Sequence, residues 1–214
     1  MKRLLPRWGE PLCEGANLSE IAQRAAISRD EIRGFAFRAE SLSGICAERL
    51  EFSKCTFTGC TFSEMQVKRL SFEDCAFEKC DLSALRIPRC AMLRTEIVGC
   101  RLTGTDLSEA TLSHVLFENC QMLYADFTKA RLQAAELIGC ILREAMANNA
   151  VLKDVSFEKC DLRTAEMLET RLKGVDFSTC EIENLRAAGN NLCGAIFAYE
   201  QAADVARIMG VVLK

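Results

Sequence analysis

The sequence is poor in the features that most often announce a function. Its 214 residues contain one histidine, no glycine-rich phosphate loop and no apolar run of about eighteen residues, the length a membrane helix needs. The amino end, MKRLLPRWGEPL, breaks at Pro6 and Trp8 before a secretory apolar core could form. Basic residues are not in excess: 27 Lys and Arg stand against 30 Asp and Glu, a net charge of −3. These absences speak against a membrane span and against sequence-independent attraction to nucleic acid or anionic lipid. The expected location is the cytoplasm, where the thirteen cysteines would remain thiols and no disulfide framework forms.

Catalytic chemistry is equally underprovided. His114 falls at an outward corner position with no cysteine or serine placed for it to activate, and reads as a surface histidine. Carboxylate pairs occupy solvent-facing positions without a pocket. The expectation is a protein with no catalytic residue, no metal and no cofactor, and therefore not an enzyme.

What the chain has instead is a beat of five. Counting in fives from Ile32 to Phe197 gives 34 positions, and every one is apolar. Two residues before each lies a second inward set, which from Cys55 to Ala195 holds Cys, Ala, Val, Thr, Leu or Met, with Asn190 the sole exception. Residues two apart on a strand share a face, so both members of a pair face inward. The gap of three to the next pair is odd, so the chain must turn before presenting another inward pair. An α-helix would not serve, because a period of five advances about 140° past a full turn and spreads the apolar residues around the cylinder.

Residue identity repeats over a longer interval. Cys60, Cys80, Cys100, Cys120, Cys140, Cys160 and Cys180 are spaced by twenty, as are Phe37, Phe57, Phe77, Phe117, Phe157, Phe177 and Phe197, with Ile97 and Leu137 filling the gaps. Four pentads therefore close one square coil. The hexapeptide FEKCDL at 77–82 recurs at 157–162 because eighty residues are four whole coils. Glycines such as Gly99, Gly104, Gly139 and Gly174 sit at the last pentad position, where a turn suits them. The cysteine ladder is read as small core residues, since parallel side chains about 4.8 Å apart cannot converge on a metal.

The pentads CDLSA, TDLSE, ADFTK, CDLRT and VDFST resemble the A(D/N)LXX pattern of the pentapeptide-repeat family, and the resemblance covers residues 30–198. It implies an all-β fold: a right-handed quadrilateral parallel β-helix of about eight coils, roughly 40 Å long. Residues 1–29 are expected to cap one end, although ANLSE from Ala16 imitates a repeat out of phase. Residues 199–214 are expected to form an α-helical cap, with Ala198, Ala202, Val205 and Met209 at helical spacing, Gly210 as a stop and VVL as a short strand.

That ending, through Tyr199, Gln201, Ala202, Met209, Gly210 and Val212, resembles the tail of the Qnr quinolone-resistance proteins and related topoisomerase-binding members of the family. The resemblance implies an end-to-end homodimer through Tyr199, Ala202, Val205, Met209, Val211 and Leu213. It also implies binding to a type II topoisomerase (DNA gyrase or topoisomerase IV) by DNA mimicry, with quinolone protection. Many Qnr members carry loops between coils, whereas this register admits none, so the chain resembles loop-free relatives.

Sorting outward charges by wall places acids in excess on two adjoining walls. Glu78, Glu96, Glu118, Glu136, Glu158 and Asp176 on one, with Asp81 and Asp161 on the other, are the expected partner-binding carboxylates. Outward Leu116, Leu123, Tyr124, Ile138 and Ile141 mark a possible contact patch. The alternative is a rigid cytoplasmic scaffold for an unrelated protein. Neither reading calls for direct nucleic acid binding or a membrane.

Overall fold

The structure, a computed structural model, describes residues 3–7 and 11–213. Its core is a parallel β-solenoid in which each residue pairs with the one twenty places on. On one wall the pairing runs in unbroken register Phe37, Phe57, Phe77, Ile97, Phe117, Leu137 and Phe157. On the adjoining wall it runs Ile32, Phe52, Phe72, Met92, Leu112, Leu132 and Leu152. The other two walls narrow after the first coils to single bridges, Asp81 to Arg101 to Gln121 and Arg86 to Asp106 to Asp126, still offset by twenty. Four walls of five residues thus account for both periods.

The corners explain how an odd gap is accommodated. In most pentads the residue two after the central apolar position takes a left-handed conformation, as at Asp74 (φ 52°), Lys79 (φ 52°), His114 (φ 54°) and Gly139 (φ 61°). That conformation costs an L-residue of order 1 kcal/mol, which glycine avoids. At Gly139 there is a second reason, since an added Cβ would lie 2.6 Å from Asn119 Oδ1 in the coil before.

Inside, the two inward residues of most pentads are buried. Phe37, Phe57 and Phe77 stack with centroids 5.4 and 4.6 Å apart, and Phe72 meets Phe77 edge-on at 5.1 Å. The cysteine ladder occupies the smaller inward position. Its thiols donate across coils to backbone carbonyls: Cys80 to Phe57, Cys120 to Ile97, Cys140 to Phe117 and Cys160 to Leu137, each 3.2–3.3 Å. Thr105 and Thr170 make the same bond from equivalent positions, to Leu82 and Ala147. The site therefore selects a small side chain that can donate weakly to the coil below.

Both ends are closed. Helix α1 (Leu18–Ser28) packs Leu18, Ala22 and Ala25 over the first coil. The ANLSE stretch is its start: the Asn17 side chain accepts the Glu20 N–H and caps the helix, which is why a repeat-like pentad falls out of phase. At the far end a 3₁₀ turn, Tyr199–Gln201, leads into α2 (Ala202–Ile208). Gln201 covers the last coil by donating to the carbonyls of Phe177 (3.0 Å) and Cys180 (2.7 Å). The expected strand at 211–213 does not form in the single chain, where it has no neighbouring strand to pair with.

The core has a thin region. An apolar cavity of about 30 Å³ is lined by Ala145, Ala147, Leu152, Phe157 and Ala165, where Ala147 stands in a ladder otherwise filled mainly by Leu, Ile, Met and Phe. Ala147→Val should fill part of it and raise stability by about 1 kcal/mol. Urea unfolding checks this, with a higher midpoint at unchanged slope as the expected outcome.

A candidate binding surface and the segment that covers it

The two strand walls meet at a corner column containing Asp74, Arg94 and His114, one per coil. Repetition places these side chains above one another, and the left-handed turn aims them along the edge. Arg94 donates through Nε to Asp74 Oδ1 (2.6 Å) and through Nη2 to Asp74 Oδ2 (2.8 Å) and Glu73 Oε1 (2.5 Å). Burial would raise the Asp74 carboxyl, but Arg94, together with the Arg7 backbone and charge, outweighs it and holds the group below its ordinary range.

Residues 3–7 run lengthwise over this column. The Leu4 N–H donates to His114 Nδ1 (3.0 Å) and the Arg7 N–H to Asp74 Oδ1 (2.9 Å). Arg3 crosses onto the Phe wall, where Nη1 meets Glu96 Oε1 and Nε meets Glu136 Oε2, both at 3.0 Å. Its side chain is only 9% exposed. Two expectations are thereby corrected. His114 is buried at 6% exposure, and outward-facing Leu116, which sits between Glu96 and Glu136 in register, is buried at 7%. A segment with no pentad register covers the corner column beside them.

The expected partner-binding carboxylates divide into three groups. Glu96 and Glu136 are held by Arg3. Asp81, Asp161 and Asp176 accept the backbone N–H two residues on, from Ser83, Arg163 and Ser178, at 2.8–3.2 Å. Asp106 and Asp126 do the same. The acid of the repeat motif is thus a turn-former. Asp161 is also pinned by Arg143 (2.5 Å) and Arg163 (2.8 Å), so it is not a free surface charge.

The third group is Glu78, Glu118 and Glu158, one column of the Phe wall on alternate coils, with Val98 and Ile138 between them. Glu78 and Glu158 each have a lysine nearby, Lys79 at 3.2 Å and Lys159 at 3.3 Å, and among the described residues Glu118 has no ion pair. Beyond Arg3 the wall opens into a groove of about 510 Å³ lined by Glu136, Glu158 and Asp176. Of the expected contact patch, Tyr124 is exposed, with its hydroxyl bonded to Glu144, while Leu123, Ile138 and Ile141 are half-buried.

At the carboxyl end, Tyr199, Met209, Val211 and Leu213 are exposed, Ala202 is exposed and Val205 is partly buried against the core. The interior thiols are shifted in both directions: burial pushes Cys90 up to about 12, the Cys120 thiol with burial does the same for Cys140, and the hydrogen bond from Cys140 in turn lowers Cys120. No group of three or more metal-binding side chains occurs among the described residues, and no described helix is long and apolar enough to cross a membrane.

Comparison with known families gives a match to the pentapeptide repeat region over residues 70–145 and to pentapeptide repeats in eight copies over 140–179. No curated protein matches. Among solved structures, a trypsin-treated variant of QnrB1, a plasmid-mediated fluoroquinolone resistance protein, is 23% identical. It covers 86% of this chain and 92% of its own, with a TM-score of 0.40. HetL, a pentapeptide repeat protein involved in heterocyst differentiation regulation from Nostoc sp. strain PCC 7120, is 17% identical over 86% of this chain and 98% of its own, with a TM-score of 0.30. Rfr23 from Cyanothece 51142 is 16% identical over 68% and 89%, with a TM-score of 0.26.

Asp161 supplies a pH prediction. The Arg163 hydrogen bond, with Arg143, lowers its carboxyl to about 2 against the opposing effect of burial. A depressed folded-state value stabilises the fold above the ordinary aspartate range, and the stability is lost as pH falls toward 2. Allowing for solvent screening of the exposed arginines, Asp161→Asn should cost about 1 kcal/mol at pH 6 and only a small fraction of that near pH 2. Unfolding free energies of both proteins across that range provide the check.

Proposed function

This chain belongs to the pentapeptide-repeat family, and from that premise we propose that it is a non-catalytic binding rod whose partner is a type II topoisomerase. The observation that carries the reading is the column Glu78, Glu118 and Glu158. Its three carboxylates stand on alternate coils, about 9.6 Å apart at 4.8 Å per coil, on a wall whose backbone is fixed by in-register pairing. A DNA-handling protein presents basic side chains arranged for phosphates, and a rigid row of carboxylates attracts the same groups. Val98 and Ile138 between the glutamates add apolar contact area.

The rod acts as a homodimer joined at its carboxyl ends. Tyr199, Met209, Val211, Val212 and Leu213 form an apolar end with no partner in the single chain, and residues 211–213 would gain strand pairing from a second copy. A protein-interaction rod working in the cytoplasm on a target other than a topoisomerase is the competing reading, and the first test below separates the two.

In a DNA gyrase supercoiling assay, micromolar protein should inhibit supercoiling or relieve quinolone-stabilised cleavage. The triple variant Glu78→Lys, Glu118→Lys, Glu158→Lys should weaken binding at least tenfold while keeping the β-sheet circular dichroism signal. Absence of any effect on gyrase or topoisomerase IV sinks the topoisomerase reading, and full activity in the triple variant sinks the column. For the end-to-end contact, Met209→Glu with Val212→Glu should shift the mass measured by light scattering from dimer to monomer; a monomeric wild type, or an unchanged dimer, refutes it.

A further inference from the structure

The chain's own residues 3–7 show what kind of molecule the corner between the strand walls accepts. An extended chain advances about 3.3 Å per residue, so the three steps from Leu4 to Arg7 span roughly 10 Å. His114 and Asp74, the acceptors of their N–H groups, are two coils apart, also roughly 10 Å. An extended backbone and the solenoid axis are therefore commensurate, three residues to two coils. In this segment the Leu4 and Arg7 N–H groups, three residues apart, both reach acceptors on that column.

Selectivity comes from the side chain beside the first anchor. Arg3 meets a pair of glutamates two coils apart through separate nitrogens of one guanidinium, and Leu116 lies between them as an apolar floor. A lysine, with its point-like ammonium, does not match two acceptors so separated. Leu4 and Leu5 meanwhile remain 42% and 63% exposed, and Arg7 is exposed. The segment is held by polar contacts with little apolar burial, which places it among the parts of the molecule that open at low cost.

We propose that this corner is a binding site for an extended, arginine-bearing peptide segment of a partner protein, and that residues 3–7 occupy it in the free protein as a displaceable self-ligand. Residues 3–7 then set a threshold: a partner gains entry only by outcompeting a tethered segment whose effective concentration is high. The site is independent of the topoisomerase reading, since it rests on Glu96, Glu136, His114 and Asp74 and not on the Glu78 column.

The test uses the full-length chain and a fluorescein-labelled synthetic peptide of sequence MKRLLPRWGEPL, followed by anisotropy. Arg3→Ala should bind the peptide at least tenfold more tightly than wild type. Adding Glu96→Gln and Glu136→Gln should abolish that gain, and a peptide with both arginines changed to glutamine should bind at least tenfold more weakly. In the ¹⁵N-labelled protein, Arg3→Ala should speed amide exchange at Leu4 and Arg7 at least tenfold, with circular dichroism and melting temperature of the solenoid unchanged. Equal peptide binding by wild type and Arg3→Ala, indifference to the glutamines, or unaltered exchange at Leu4 and Arg7 would each overturn the proposal.

Discussion

The backbone hydrogen bond from an N–H to a carbonyl one coil away is the constraint from which the rest of this molecule follows. Asp81 to Cys60, Arg101 to Cys80, Gln121 to Cys100 and Ile141 to Cys120 repeat the same bond at 2.9–3.0 Å, always one coil back. Because the lap is closed after twenty residues, a side chain finds its neighbours not along the sequence but above and below. Packing becomes a set of parallel columns. A phenylalanine column can stack its rings, and the narrower inward positions are filled mainly by Cys, Ala and Thr, which leave room for the coil below.

The same arithmetic governs the surface. Glu48 and Lys68, Asp74 and Arg94, Arg89 and Glu109, and Glu166 and Arg186 are ion pairs whose members differ by twenty. Stacking at about 4.8 Å brings such charges into contact without long side-chain excursions. Summing charge over a wall therefore overstates the field it projects. The second acidic wall is the clearest case, since Asp81 faces Arg101 and Asp161 lies under Arg143 and Arg163. Its surplus of acids is largely spent on its own arginines.

This also separates what was legible in the sequence from what was not. The five- and twenty-residue periods located every inward residue and the glycine corners, because one geometry is imposed on each lap. The helical tail was visible as a change of period, and Asn17 could have been read as a helix cap had the out-of-phase ANLSE been weighed against the helix start that follows it. Arg3 was invisible. Its partners lie 93 and 133 residues away, it belongs to no repeat, and nothing local distinguishes it from a solvated arginine. His114 was misplaced for the same reason: its corner position faces outward from the solenoid, and only the chain folded over it makes it interior. The turn-forming bond of the motif aspartates was not legible, because a turn-forming acid and a ligand-binding acid look alike until the N–H two residues on is located.

The surviving carboxylates on the Phe wall are distinguished by what their columns withhold. Above and below Glu78 lie Val98 and Thr58, around Glu118 lie Val98 and Ile138, and around Glu158 lie Ile138 and, in the repeat, Ser178. None of these can neutralise its neighbour, in contrast to the paired columns elsewhere on the rod. Yet at about 9.6 Å the row is far sparser than the charge of B-DNA, about one per 1.7 Å. Charge at that density steers an approaching basic surface and sets its register, while the contact area must come from the valine and isoleucine between the glutamates. An interface of the proposed kind would have the character of a protein contact guided by electrostatics.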